Sequence, residues 1–365
     1  MTDPTLKAEP EFAASLRSWL DQAVEAGASD LHLVVGQPPV LRVHGELQPL
    51  DEAVLTGNVL KPILEAACPQ KIFEQFLINQ DVDFSWQVSI GDQSHRFRVN
   101  YFVSDRQLGA CIRLIPDSIP DLNWAGFPQD TAARLTSFRN GLVLVTGVTG
   151  SGKTTTLAML VSRLIAAGNC RVITIEEPVE YRYARCDGAV VTQREVGIDV
   201  RSFADGLKHG LRQDPNVIMI GEIRDAETAQ MALTAAETGH LVFSTLHTRD
   251  ARGAISRYTD VFPQAVQGEI RAQLATSLRA VVSQHLLPSW VEGEKRWLAL
   301  EVMLNNSPIA SAIRSGKLTS IDNYILSGRD EGMITLDESV KELYFQNRIT
   351  RETAERFVSD PSSLF

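Results

Sequence analysis

Residues 147–154 read GVTGSGKT, which satisfies G-x-x-x-x-G-K-[ST] at every position, directly after the apolar run GLVLVTG and directly before a helical pattern. Few short motifs constrain a fold so strongly. The glycines let backbone N–H groups wrap phosphate oxygens, and the start of the following helix adds partial positive charge. Lys153 is spaced to reach the outer phosphates, and the Thr154 hydroxyl suits Mg²⁺. The phosphate-cradling set is therefore Gly147, Thr149, Gly150, Ser151, Gly152, Lys153, Thr154 and Thr155. A strand–loop–helix unit of this kind belongs in an α/β sheet covered on both faces. The further apolar runs RVITIEE, NVIMIGE and HLVFSTLH, alternating with helical segments, supply such a sheet.

Two of those strands end in acid. NVIMIGE places Glu222 at its carboxyl end, where ligands bind in open α/β sheets. IEEPVEY places Glu176, Glu177 and Glu180 after another, with Pro178 breaking the regular structure. Carboxylates beside a phosphate loop repel one another and the nucleotide unless a metal or an arginine balances them. Each glutamate alone reads as a solvated loop charge, but their shared place after core strands favours a site. The helix pattern RDAETAQMALTAAET closes at Gly239, and the next strand runs from His240 to His247. An extended strand separates those rings by roughly 23 Å. Only His247 lies at the carboxyl end, so it is the candidate sensor of a terminal phosphate. His240 reads as a satisfied structural group.

The N-terminal third has a different pattern. Phe12, Leu16, Trp19, Leu20 and Ala23 fall at helical spacing, and short strands follow. In HRFRVNYFV, Phe97, Val99, Tyr101 and Val103 point one way while Arg96, Arg98 and Asn100 point the other. GACIRLIP adds Arg113. A half-buried antiparallel sheet with arginines on its open face explains the alternation. Three prolines between 116 and 137 suggest a linker, and beyond about residue 250 the pattern reads as mostly helical. The expected organisation is 1–115 α+β, 116–137 linker, 138–300 α/β core and 301–365 helical. Thr335 and Glu338 open the last long helix with a capping box, which places Leu336, Val340, Leu343 and Tyr344 on one face. Disorder is expected only in the first ten residues and in the tail SDPSSLF.

A net charge of −10 argues against a general nucleic-acid binder. Cys68, Cys111, Cys170 and Cys186 are too scattered for a zinc site or a disulfide framework and read as free thiols. No apolar run is long enough to span a membrane, and the N-terminus lacks a signal-peptide pattern, so a cytoplasmic chain is expected.

Taken together, GVTGSGKTTTLAML, IEEPVEY, QREVG, DPNVIMIGEIRDAETAQMALTAAETGHLVFSTLHT and the N-terminal ASDLHL resemble the secretion ATPases of type IV pili and type II secretion, above all the PilT/PilU retraction group. The resemblance runs from about residue 14 to beyond 345. It implies a RecA-like ATPase domain, an N-terminal PAS-like domain and a helical C-terminal region, assembled as a homohexamer that hydrolyses ATP with Mg²⁺. It places Glu180 as the water-activating acid, Glu222 as the metal-side acid alongside Thr154, and His247 in a histidine box. By the same resemblance, Arg98 and Arg113 match arginines that approach nucleotide in these rings. The implied partners are an inner-membrane platform protein and a second retraction ATPase, so that a cytoplasmic chain works at the inner membrane without inserting. The four-cysteine zinc insertion of assembly and type II secretion ATPases does not appear. SPIASAIRSGKLTSIDNYI departs from the retraction pattern, with Ala310 where its first arginine would stand, and this brings the chain closer to PilU there.

Overall fold

The computed structural model describes residues 10–43, 46–90, 93–116, 118–291 and 294–364. Of the first ten residues, where disorder is expected, 1–9 lie outside them and Pro10 begins a helix. The chain divides into two compact units, Met1–Asp117 and Ser118–Phe365.

In the first unit, among the described residues, strands β1 (Asp30–Leu33), β2 (Val40–Val43), β3 (Glu46–Pro49), β4 (Asp81–Ile90), β5 (Gln93–Ser104) and β6 (Gln107–Ile115) form one sheet in the order β3-β2-β1-β6-β5-β4. Every pairing in it is antiparallel. One face is apolar: Phe97, Val99 and Tyr101 are buried with Phe84, Trp86, Leu31 and Ile112, and the helices Pro10–Glu25, Gly57–Ala67 and Gln70–Asn79 contribute to the same core. Val103, at the end of β5, is exposed rather than buried. The opposite face carries the arginines.

In the second unit, again among the described residues, β7 (Gly141–Thr146), β8 (Cys170–Glu176), β9 (Ala189–Glu195), β10 (Val217–Ile220), β11 (Leu241–Leu246), β12 (Leu278–Leu287) and β13 (Trp297–Leu304) make a second sheet. Its order is β13-β12-β7-β11-β10-β8-β9. All pairs are parallel except β12 with β13. β7, β10 and β11 are buried at every residue, as central parallel strands covered on both faces must be.

Three expectations about organisation need correction. Residues 116–137 are not a linker throughout. The helices Leu122–Ala125 and Gln129–Thr136 occupy most of the span, and Leu122, Phe127, Ala132 and Leu135 are buried in the core of the second unit. The region after 250 is mostly helical, but β12 and β13 extend the sheet there, and β13 runs across the expected 300/301 boundary. The tail is ordered to Leu364, which is buried with Leu287, Ala299 and Val340. The capping box at Thr335 and Glu338 forms, and Leu336, Leu343 and Tyr344 pack beside Val340. The four cysteines are free thiols. No described helix is long and apolar enough to cross a membrane.

Candidate functional site

Parallel strands bring their carboxyl ends to one edge, and that edge gathers the loops after β7, β8, β10 and β11. The loop after β7 leads into the helix Lys153–Ala167. Gly147 has φ +148°, and a Cβ there would lie 2.4 Å from Ser151 Oγ and 2.5 Å from the Gln284 carbonyl oxygen, so only glycine fits. Gln284 of β12 braces the loop from the other side, its Nε2 donating to the Ser151 carbonyl at 2.5 Å. Lys153 is buried and its Nζ donates to the carbonyls of Gly147 at 2.9 Å and Val148 at 3.1 Å. Burial lowers its pKa, while Glu222 and Glu180 oppose that shift, so both carboxylates bear electrostatically on the lysine.

Thr245 Oγ1 donates to the Gly221 carbonyl at 2.7 Å, and the Ile223 N–H donates to the Thr245 carbonyl, so β11 fixes the loop that carries Glu222. Arg224 Nη2 lies 2.5 Å from Glu222 Oε1, and its Nη1 lies 2.9 Å from Glu177 Oε2. The balancing cation that the acid-rich loops require is therefore Arg224, which no spacing in the sequence singles out. Its proximity to Glu222 raises the guanidinium pKa further. His247 Nε2 stands 3.5 Å from Glu222 Oε2. Burial, then the Lys153 charge, push the imidazole below its ordinary pKa against the pull of Glu222, which favours the neutral ring at neutral pH.

Glu176 ends β8 buried, accepting from Thr174 Oγ1 at 2.6 Å and Gln193 Nε2 at 3.2 Å. Burial raises its pKa to about 7, so it is a largely protonated structural acid below neutrality. Glu180 follows on the same loop and stays partly exposed. Tyr181, next to it, is within 3.0 Å of Thr155 through its hydroxyl, which ties this loop to the phosphate-loop helix.

His240 is at the far end of β11. Its Nδ1 lies 2.9 Å from the Ala235 carbonyl and its backbone N–H donates to the same oxygen, closing the helix Ala226–Glu237. Gly239 follows that helix at φ +109°. The structural reading of His240 has this geometry behind it.

Arg98 and Arg113 lie in the other unit, directly opposite one another on β5 and β6. Arg113 Nε bonds Asp30 Oδ1 at 2.7 Å, and Arg98 Nε is 3.5 Å from Asp83 Oδ1. Asp30 is buried and pairs in register with both Arg113 and Arg42, so one carboxylate sits between two arginines on the polar face.

On the β12 side of the phosphate loop lies a cavity of about 310 Å³, bounded by Gly152, Thr155, Trp124, Gln284, Leu286 and Leu298. Lys295 stacks over Trp124 and Trp297 at its rim. These groups come together from separate strands and a short helix, and no local motif announces them. Among the described residues no cluster of three or more histidine, cysteine, aspartate or glutamate side chains could hold a metal alone. Thr154 and Glu222 offer a hydroxyl and a carboxylate, hard oxygen donors that suit Mg²⁺ held jointly with phosphates.

Comparison with known proteins adds the following. The family described as type II/IV secretion system protein matches residues 8–354. The type IV pilus retraction ATPase PilT of Pseudomonas aeruginosa is 38% identical over 345 residues, 94% of this chain and 97% of PilT. The type IV pilus ATPase PilU of the same organism is 36% identical over 91% of this chain and 85% of PilU. A crystal structure of the pilus retraction motor PilT with bound ADP superposes with a TM-score of 0.83 at 38% identity, covering 95% of this chain and 98% of that one.

Proposed function

We propose that this chain, which belongs to the type II/IV secretion system protein family, is an ATP-hydrolysing motor that drives type IV pilus retraction as a homohexameric ring. One observation carries the reading. The phosphate loop 147–154 opens at the same sheet edge as the loops bearing Glu180, Glu222 and His247.

Each residue has a role in this reading. The loop's N–H groups and Lys153 bind the phosphates, with Lys153 exchanging its carbonyl partners for phosphate oxygens. Thr154 and Glu222 would hold Mg²⁺, which when bound would neutralise charge on the phosphates. Glu180 orients a water and takes its proton. Neutral His247, held beside Glu222, donates to the terminal phosphate. The base and ribose extend into the cavity beside Trp124, on the side of the loop away from the carboxylates. Arg98 and Arg113 are assigned as the family's nucleotide-facing arginines. Each hydrolysis shifts one compact unit against the other in this reading. The ring is placed in the cytoplasm against an inner-membrane platform protein.

Glu180→Gln tests the chemistry. It is expected to bind a fluorescent ATP analogue as the parent does while losing turnover by at least about 100-fold, the scale of a lost general base. Unchanged turnover would remove Glu180 from the reaction. In cells, deleting the gene should leave pili that extend but do not shorten.

A second reading, an accessory ring subunit dependent on another retraction ATPase, is favoured by one feature. Ala310 stands where the retraction pattern has an arginine, and it packs against the apolar core of the second unit instead of presenting a charge. Turnover by the purified chain that appears only with a partner ATPase would select this reading.

A further inference from the structure

Glu180 sits in a loop without helix or strand, yet a general base must be placed to within about an ångström to be effective. Two side chains on the edge strand β9 hold the backbone on both sides of it. Glu195 Oε2 accepts from the Val179 N–H at 3.1 Å. Gln193 Nε2 donates to the Tyr181 carbonyl at 2.7 Å, and Gln193 Oε1 accepts from the Tyr183 N–H at 3.3 Å. Residues two apart on a strand share a face, so Gln193 and Glu195 present their side chains to the loop together.

These two residues are themselves fixed. In the β8–β9 register Gln193 lies opposite Thr174 and Glu195 opposite Glu176. Gln193 Nε2 also reaches Glu176 Oε1 at 3.2 Å, an oxygen already bonded by Thr174 at 2.6 Å. Glu195 is buried, and its own N–H donates to Asp199 Oδ2 at 2.9 Å. The chain leaving β8 thus folds back over β9 and gives its backbone polar groups to a preformed pair.

We propose that Gln193 and Glu195 are positioning residues for catalysis: they touch no substrate and act by fixing Val179 and Tyr181, the two neighbours of Glu180. The proposal rests on the reading of Glu180 as the water-activating acid. Loss of one tether leaves the phosphate loop intact and lets the carboxylate wander, so kcat falls while nucleotide binding does not.

The test uses the full-length chain in its native assembly, with Gln193→Ala, Glu195→Ala, Glu195→Gln and Glu180→Gln compared for ATP turnover and ATP-analogue affinity. Gln193→Ala and Glu195→Ala are expected to lower kcat by roughly 10- to 100-fold, with KM and affinity within about threefold of the parent. Glu195→Gln keeps an oxygen for the Val179 N–H and is expected to recover most of the rate, which a purely structural requirement for charge would not allow. If Gln193→Ala fails to fold, the Glu195 pair decides. The proposal is overturned if the alanine variants keep kcat within twofold, or if Glu195→Gln is as slow as Glu195→Ala. Inactive Glu180→Gln beside active alanine variants would overturn the tethers alone, whereas active Glu180→Gln would overturn the base assignment and the tethers with it.

Discussion

Replacing Glu176 by glutamine removes a charge that the fold resists carrying. Burial pushes this carboxyl from the ordinary 4.5 up to about 7. The Glu180 charge adds to the rise, and the bonds from Thr174 and Gln193 oppose it. In the unfolded chain the group ionises near 4.5, while in the folded chain it keeps its proton to about 7. Across that window the unfolded state binds fewer protons, so this residue makes stability fall as pH rises. At about 1.4 kcal/mol per pH unit the full cost above neutrality is on the order of 3 kcal/mol. Glutamine has the same shape, can offer an oxygen to Thr174 and Gln193, and does not ionise. The variant should therefore exceed the parent by only about 0.7 kcal/mol at pH 5 and by up to the full amount at pH 8. For a unit of this size the gain is a rise of roughly 5–10 °C in the thermal midpoint. Thermal unfolding followed by circular dichroism at both pH values measures it. Glu301, which burial also raises to about 7, is present in both proteins and cancels in the comparison. An equal gain at pH 5 and pH 8, or no gain at pH 8, would refute the reasoning.

Three further outcomes are expected. The His247 imidazole should titrate below 6.5 by NMR, and its midpoint should rise in Lys153→Ala, because the lysine charge is the second cause of the depression after burial; an unmoved midpoint would separate the two residues. His240→Ala should cost about 0.5–1.5 kcal/mol by removing the side-chain bond that closes the helix ending at Glu237, with KM for ATP unchanged; a raised KM at unchanged stability would place this ring in the nucleotide site. Gly147→Ala should weaken nucleotide binding by more than about tenfold, since the new methyl group would meet a backbone carbonyl at 2.5 Å and positive φ costs a further 1–2 kcal/mol. Retained affinity there would mean that the loop relaxes without loss.

What the sequence made legible was local and patterned. The phosphate loop, Glu222 after β10 and His247 after β11 each combine a continuous apolar run with a chemical group at a fixed offset. The missed elements lack such signals. β12 follows the helix Gln267–Ser277 with no intervening glycine or proline, so Leu274, Leu278 and Val282 continue a helical period across the junction. β13, WLALEVML, is rich in leucine, methionine, alanine and glutamate, which favour helix, and it is a strand because β12 supplies its partner. β9 is a half-buried edge strand with polar side chains, and its Gln193 and Glu195 acquire meaning only from the loop folded over them. The prolines at 116, 120 and 128 do lie outside helix and strand, but the short helices Leu122–Ala125 and Gln129–Thr136 are held by tertiary burial of Leu122, Phe127 and Leu135. Arg224, just ahead of the helix Ala226–Glu237, takes on its role only because the fold brings Glu177 from a separate loop to it beside Glu222.

The central claim is that one phosphate loop makes this chain a motor. ATP turnover by the purified full-length protein, measured beside Lys153→Ala with assembly mass recorded on the same samples, tests it most directly. The account predicts a ring that hydrolyses ATP and a variant that forms the same ring without turnover. Hydrolysis that persists in Lys153→Ala would contradict it.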